Sequence, residues 1–135
     1  MTGGRNSLVV LLVSVLVIFG LSPSVVGRQY KQLATIHVTN SMSKDSGAMQ
    51  IHCKSSYTDY GMHQVGGGDE YQCDVRERAL YYCMAISGRR VASWHAFQPR
   101  RDRSRQAVYW LVKEDGIFLS WDNSSWVRKS LWETE

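Results

Sequence analysis

The sequence predicts an all-β fold, a single antiparallel β-sandwich of seven to eight short strands. Three observations indicate this class. Short stretches alternate between apolar and polar residues, as in residues 49–53, where Met49, Ile51 and Cys53 fall on one face. Turn signals rich in glycine and aspartate separate such stretches at intervals of about 8–12 residues. No window of the sequence sustains a helical period.

Each strand follows from a local pattern. The first is β-branched and alternating, whereas residues 79–86 are almost continuously apolar, as expected of a strand in the middle of a sandwich. Strands are expected at residues 35–39, 49–53, 71–75, 79–86, 91–97, 107–112 and 116–121. Turns are expected at residues 44–47, 66–69, 87–88 and 114–116. The segment after Trp126 is expected to fray.

The amino terminus predicts a secretory signal peptide over residues 1–27. Polar residues including Arg5 precede the predominantly apolar residues 8–21, a run shorter than the roughly 20 residues that a membrane-spanning helix needs. Small residues before and at Gly27 predict cleavage there. Residues 28–135 are then one secreted, extracellular domain with no membrane span. An uncleaved membrane anchor is the alternative.

A basic segment is the strongest candidate for contact with a partner. Residues 89–105 contain six arginines and a single acidic residue, Asp102, in a chain of formal net charge +4. Guanidinium groups bind carboxylates and phosphates in bidentate fashion. The partner-binding candidates are Arg100, Arg101, Arg103 and Arg105. We expect a cell-surface receptor or a cell-wall component as partner, and no nucleic acid because the protein is secreted. The alternative is a solvated loop without a partner.

Three cysteines, Cys53, Cys73 and Cys83, predict one disulfide and one leftover thiol in an oxidising compartment. If residues 71–75 and 80–85 formed a hairpin, Cys73 would face Cys83 within disulfide reach. The cysteines form no Cys-x-x-Cys pair and the histidines are scattered, so neither a metal site nor a cofactor is expected.

Two further patterns concern modification and catalysis. Asn123-Ser124-Ser125 is an N-glycosylation sequon, which predicts a glycan on Asn123 in a surface loop. A secreted basic hydrolase would need a histidine such as His52 or His95 as acid or base. The sequence has no nucleophile elbow and no metalloprotease motif, so no catalytic residue is assigned.

Three motifs occur in order along the chain. They are His52-Cys53-Lys54-Ser55 with Asp59-Tyr60-Gly61, then Tyr81-Tyr82-Cys83, and finally Tyr109-Trp110 followed by Glu114-Asp115-Gly116-Ile117-Phe118. Together they resemble the plant self-incompatibility protein S1 family, the S-protein homologues, over residues 35–121. The resemblance implies a small secreted β-sandwich that acts as an extracellular ligand rather than as an enzyme, with a role in pollen–pistil recognition among the possibilities.

The resemblance also assigns residues. It implies a disulfide between Cys53 and Cys83, against the rival partner Cys73. Two further cysteines of the family pattern are replaced here by Arg105 and Val108. Structural roles are implied for the motif positions His52, Asp59, Gly61, Trp110, Asp115 and Gly116. A glycan-binding module that uses residues 100–105 is a further alternative to the ligand function.

Overall fold

The computed structural model of the protein describes residues 32–134, and all that follows concerns this part of the chain. It contains ten strands and one short 3₁₀ turn, Lys44–Ser46. The strands are β1 (Ala34–Asn40), β2 (Met49–Lys54), β3 (Asp59–Val65), β4 (Glu70–Val75), β5 (Tyr81–Ser87), β6 (Arg90–Phe97), β7 (Ala107–Lys113), β8 (Gly116–Ser120), β9 (Val127–Ser130) and β10 (Glu133–Thr134).

The strands form two five-stranded sheets. The first has the order β4-β1-β7-β8-β9 and the second the order β10-β6-β5-β2-β3. The predicted sandwich is therefore confirmed. One pairing departs from the antiparallel expectation, because β1 and β7 run parallel, with Ile36 opposite Val108 and Val38 opposite Trp110. These strands are distant in sequence, so no hairpin constrains their direction.

The core lies between the sheets and follows the two-residue period of the strands. In β1 and β7 every second residue is buried, and these side chains meet the inward residues of β2, β5 and β6. Trp110 is 1% exposed, and its Nε1–H donates to the carbonyl oxygen of Ala96 at 2.9 Å. This bond joins the two sheets across the core.

Three strands were not predicted, and their burial explains why. Only Val65 of β3 is buried, and neither β9 nor β10 has a buried residue, so none shows a clear alternation of apolar residues. The expectation that the chain frays after Trp126 is wrong. The β9 strand pairs with β8, β10 pairs with β6, and Trp132 Nε1–H donates to the Lys113 carbonyl oxygen at 2.7 Å.

The cysteine pairing is resolved by the assignment of strands to sheets. Cys53 and Cys83 face each other on β2 and β5 with Cα atoms 4.1 Å apart and are joined by a disulfide. The hairpin that would bring Cys73 to Cys83 is wrong, because β4 and β5 belong to different sheets. Cys73 lies opposite Ile36 and remains a buried free thiol.

The connection between β4 and β5 crosses from one sheet to the other. It is held by the Tyr81 hydroxyl, which accepts a hydrogen bond from the Arg76 amide at 3.1 Å and donates to Glu77 Oε2 at 2.6 Å. No helix within residues 32–134 is long and apolar enough to cross a membrane. The predicted signal peptide lies outside the described residues.

Candidate functional site

The arginine-rich loop, residues 98–105, links β6 to β7 and is built around Asp102. The Asp102 amide donates to the Gln98 carbonyl at 2.9 Å, and the Arg105 amide donates to the Asp102 carbonyl at 3.1 Å. The Gln98 amide in turn donates to Asp102 Oδ2 at 2.8 Å. These local bonds fold the loop back on itself, so that both of its ends are tied to one residue.

Asp102 is also the deepest charged group of the described chain, at 1% exposed. Arg101 binds it with two donors, Nε to Oδ1 at 2.9 Å and Nη2 to Oδ2 at 2.8 Å. The Trp121 indole adds a further bond to Oδ1 at 2.9 Å. A carboxylate is tolerated in the interior when it is paired and fully hydrogen-bonded, as here. Sequence reasoning counted Asp102 only as an opposing charge and did not find Trp121.

The four arginine candidates divide into two kinds. Arg101 is mostly buried, bonds the His95 carbonyl at 3.0 Å and lies with its Cζ 5.3 Å from the Trp110 ring centroid. Arg105 lies over Trp121 with its Cζ 5.0 Å from the ring centroid. These two are therefore engaged in packing by cation–π contact. Arg105 is exposed all the same, as are Arg100 and Arg103. Arg100 and Arg103 differ from it in forming no hydrogen bond, ion pair or ring contact with the described residues.

The first motif closes the hairpin between β2 and β3. His52 Nε2 lies 2.5 Å from Asp59 Oδ1, which also accepts the Gly61 amide at 2.8 Å. The His52 hydrogen bond, followed by that of Gly61, lowers the pKa of Asp59. Ser55 Oγ accepts the amides of residues 57 and 58, both at 3.1 Å. Gly61 has φ +75°, which favours glycine. The hydrogen bonds of this turn therefore explain why His52, Ser55, Asp59 and Gly61 occur at these intervals in the motif.

The histidines of the hydrolase alternative do not converge. His52 is on β2 and His95 on β6, with β5 between them, which separates their backbones by about 10 Å. Gln98 Nε2 lies 3.1 Å from His95 Nδ1, and the Tyr82 ring meets the His95 ring edge-on at 5.1 Å between centroids. Across residues 32–134 no three His, Cys, Asp or Glu side chains are grouped so that they could hold a metal ion.

The third motif contains the two-residue turn between β7 and β8, with Lys113 opposite Gly116. Asp115 is exposed in this turn. Gly116 has φ +142°, and a Cβ atom there would lie 2.7 Å from the Ser130 carbonyl oxygen. Glycine is therefore required both by the backbone conformation and by the approach of β9. Glu114 accepts the Ser43 amide at 2.5 Å, a bond that lowers the pKa of its carboxyl group.

Asn123 lies at the exposed tip of the turn between β8 and β9, with φ 60°. Asp122 holds this turn, because its Oδ1 accepts the Ser120 hydroxyl at 2.8 Å and the amides of Ser124 and Ser125 at 2.9 Å. The two amide bonds, led by that of Ser125, lower the pKa of Asp122. The sequon asparagine is thus presented to solvent on a fixed turn.

Comparison with known proteins gives one family and one structural relative. The model of the family described as plant self-incompatibility protein S1 matches residues 35–132. No curated protein sequence matches the chain. A solved structure is similar with a TM-score of 0.64 and 18% identity over 78% of this chain and 97% of the other. It is described as a self-incompatibility protein homologue from a widespread family of small, highly stable, secreted plant proteins.

Proposed function

The chain belongs to the plant self-incompatibility protein S1 family, and from that premise we propose that it is a secreted ligand that acts by binding a cell-surface partner. The observation that carries this proposal is the anchored arginine-rich loop. Asp102 fixes the loop from the protein interior, while Arg100 and Arg103 project into solvent. A rigid loop that presents two cations loses little entropy when it binds an anionic surface.

The surroundings of the titratable groups support binding rather than catalysis. His52 is engaged by Asp59 in a hairpin turn, and His95 by Gln98 two strands away. A hydrolase that used both histidines as an acid–base pair would need them on either side of one reacting bond. The separation of these two imidazoles does not supply that arrangement. Pollen–pistil recognition is the context in which we propose to test the ligand first.

The test is binding of the fluorescently labelled secreted protein to plant cells, with the double substitution Arg100→Glu and Arg103→Glu. We expect saturable binding by the unaltered protein and at least a tenfold weaker affinity of the variant, because two attractive contacts become repulsive. The double substitution Lys44→Glu and Arg89→Glu is the matched control, since it reverses two charges at exposed residues outside the arginine-rich loop. Equal loss in the control would reduce the effect to net charge and contradict the proposal.

A second variant separates the ligand from the hydrolase. His52→Ala leaves the arginine-rich loop untouched, so binding to cells is expected to survive. The enzyme would be favoured by two results together. The unaltered protein would hydrolyse a substrate without binding to cells, and His52→Ala would lose that hydrolytic activity. Melting temperatures of all variants show whether a change in binding reflects unfolding.

We also propose that the chain is cleaved after Gly27 and glycosylated on Asn123. The exposure of Asn123 on its fixed turn supports the second step. Mass spectrometry of the protein secreted from plant cells is expected to show residue 28 as the amino terminus and a glycan that Asn123→Gln removes. An intact chain that still begins at Met1 would contradict the secretory interpretation.

A further inference from the structure

A cleft lies along one open side of the sandwich, where β6 of the second sheet faces β9 of the first. The short strand β10 pairs only with Arg90 and Val91, so the rest of β6 has no strand neighbour on this side within residues 32–134. The cleft has a volume of about 480 Å³. We name it the lateral cleft, and its walls include Tyr82, Ser93, Trp94, Arg101, Lys129 and Ser130.

The lateral cleft is held by bonds between its two sides. Ser130 Oγ donates to the Ser93 carbonyl at 3.1 Å, which ties the edge of the first sheet to β6 and places Lys129 beside the cleft. Arg101 Nη2 donates to the His95 carbonyl at 3.0 Å. These side chains cover the carbonyl groups of the β6 edge, so the edge is poorly suited to accept the backbone of a peptide strand.

The lining offers hydrogen-bond donors without matching acceptors. Trp94 is 5% exposed, and its Nε1–H has no acceptor among the described residues. Lys129 is exposed and forms no ion pair within residues 32–134, whereas the charge of Arg101 is balanced by Asp102. No carboxylate lines the lateral cleft. A buried donor without a partner is uncommon, and Trp94 lines the same cleft as the unpaired Lys129.

The outer wall adds a surface for a ring. Tyr82 is 46% exposed on the outer face of β5, and the His95 ring supports it edge-on. Ser93, Gln98 and Ser130 add hydroxyl and amide groups to the same lining. An exposed aromatic face beside hydroxyl and amide groups is complementary to a sugar, which has apolar C–H faces and polar hydroxyls. The unpaired donors of Trp94 and Lys129 also favour a ligand that carries an anionic acceptor.

We propose that the lateral cleft binds a short oligosaccharide that carries carboxylate groups. A carboxylate would accept from Lys129 and from a donor of the cleft wall, while a neighbouring sugar ring would lie against Tyr82. The site is distinct from Arg100 and Arg103, so it extends the proposed function without depending on it. Failure of one site leaves the other intact.

The test is isothermal titration of the secreted protein with a hexamer of galacturonic acid, with a neutral galactose hexamer and hexaglutamate as comparisons. We expect saturable binding of the uronate alone, weakened by salt. Lys129→Ala should reduce its affinity about tenfold or more, since a bond to a charged group is lost. Tyr82→Ala should reduce it several-fold, and Lys44→Ala, which also removes one exposed cation, should leave it unchanged.

Trp94→Phe tests the buried donor while preserving most of the aromatic volume. A several-fold loss of uronate affinity at an unchanged melting temperature supports a contact with Nε1–H or its surroundings. Equal binding of the galactose hexamer, competition by hexaglutamate at equal strength, or an equal effect of Lys129→Ala and Lys44→Ala would overturn the proposal. So would the lack of any heat signal with millimolar uronate.

Discussion

Asp102 and Asp59 are bonded by the same kinds of groups in very different surroundings. Each carboxylate accepts from a basic side chain and from a backbone amide, Arg101 and Gln98 in one case, His52 and Gly61 in the other. The Asp102 side chain is 0% exposed, whereas that of Asp59 is 60% exposed. Water therefore competes for the hydrogen bonds of the Asp59 carboxylate and does not reach the Asp102 carboxylate, so the two carboxylates differ in what they contribute to stability.

The difference separates two uses of a loop. The β2–β3 turn is shaped by local bonds that water can replace, which suits a connection between adjacent strands. The arginine-rich loop is fixed to the interior, which suits a surface that must keep one shape when it meets a partner. The same contrast distinguishes Arg101, mostly buried against Asp102, from the exposed Arg103.

The largest expected effect is that of Asp102→Ala. The substitution leaves Arg101 largely buried without its counter-charge and removes the acceptor of Trp121 Nε1–H. Removing one partner of a buried ion pair costs about 3–5 kcal/mol. Urea unfolding of the unaltered and variant proteins measures this loss directly.

Asp102→Asn separates the charge of Asp102 from its size, because the asparagine keeps one oxygen acceptor and the volume of the side chain. Its cost should fall below that of the alanine variant, about 1.5–3 kcal/mol for lost bonds to a charged group. A cost near zero for both variants would mean that the loop is held by other contacts.

A smaller effect is expected at Asp59, and it should disappear in acid. The pKa of Asp59 is lowered in the folded protein, below an unfolded value of about 3.9. Its contribution is therefore present above about pH 4 and is lost as the pH falls through the folded pKa. The stability difference between the unaltered protein and Asp59→Asn should shrink below about pH 4. Asp45→Asn is the control, and an identical pH profile for it would contradict the assignment.

No reaction is expected at Cys73. Burial, followed by the charge of Asp74, raises the pKa of this thiol to about 12. The thiolate is the reactive form, so iodoacetamide at pH 8 should not modify the folded protein and should modify it fully in urea. Modification of the native protein at the unfolded rate would show that β4 opens readily.

The fold could be predicted because the inward faces of its central strands alternate. Residues 49–53 and 107–112 carry that pattern and lie within β2 and β7. The edge strands β3 and β9 bury little, so their sequences carry no equivalent signal. The parallel pairing of β1 with β7 joins distant segments, which local patterns do not encode.

The candidate site was predicted in composition but not in arrangement. The sequence does not distinguish Arg101 from Arg103. In the structure, Arg101 packs against Asp102 and Trp110, whereas the Arg103 side chain is exposed. The burial of Asp102 could not be predicted either, because its sequence neighbours are arginines that favour an exposed loop. Lys129 and Trp94 come together only because β6 and β9 lie on the same open side of the sandwich.

The most direct measurement compares Arg101→Ala with Arg103→Ala for both melting temperature and cell-surface affinity. We predict that Arg101→Ala lowers the melting temperature by several degrees, because the buried Asp102 carboxylate loses its counter-charge. Arg103→Ala should leave the melting temperature unchanged and weaken binding to cells. If both variants kept the melting temperature and the cell-surface affinity of the unaltered protein, the central claim would be contradicted. That claim is that Arg101 anchors the loop and Arg103 contacts the partner.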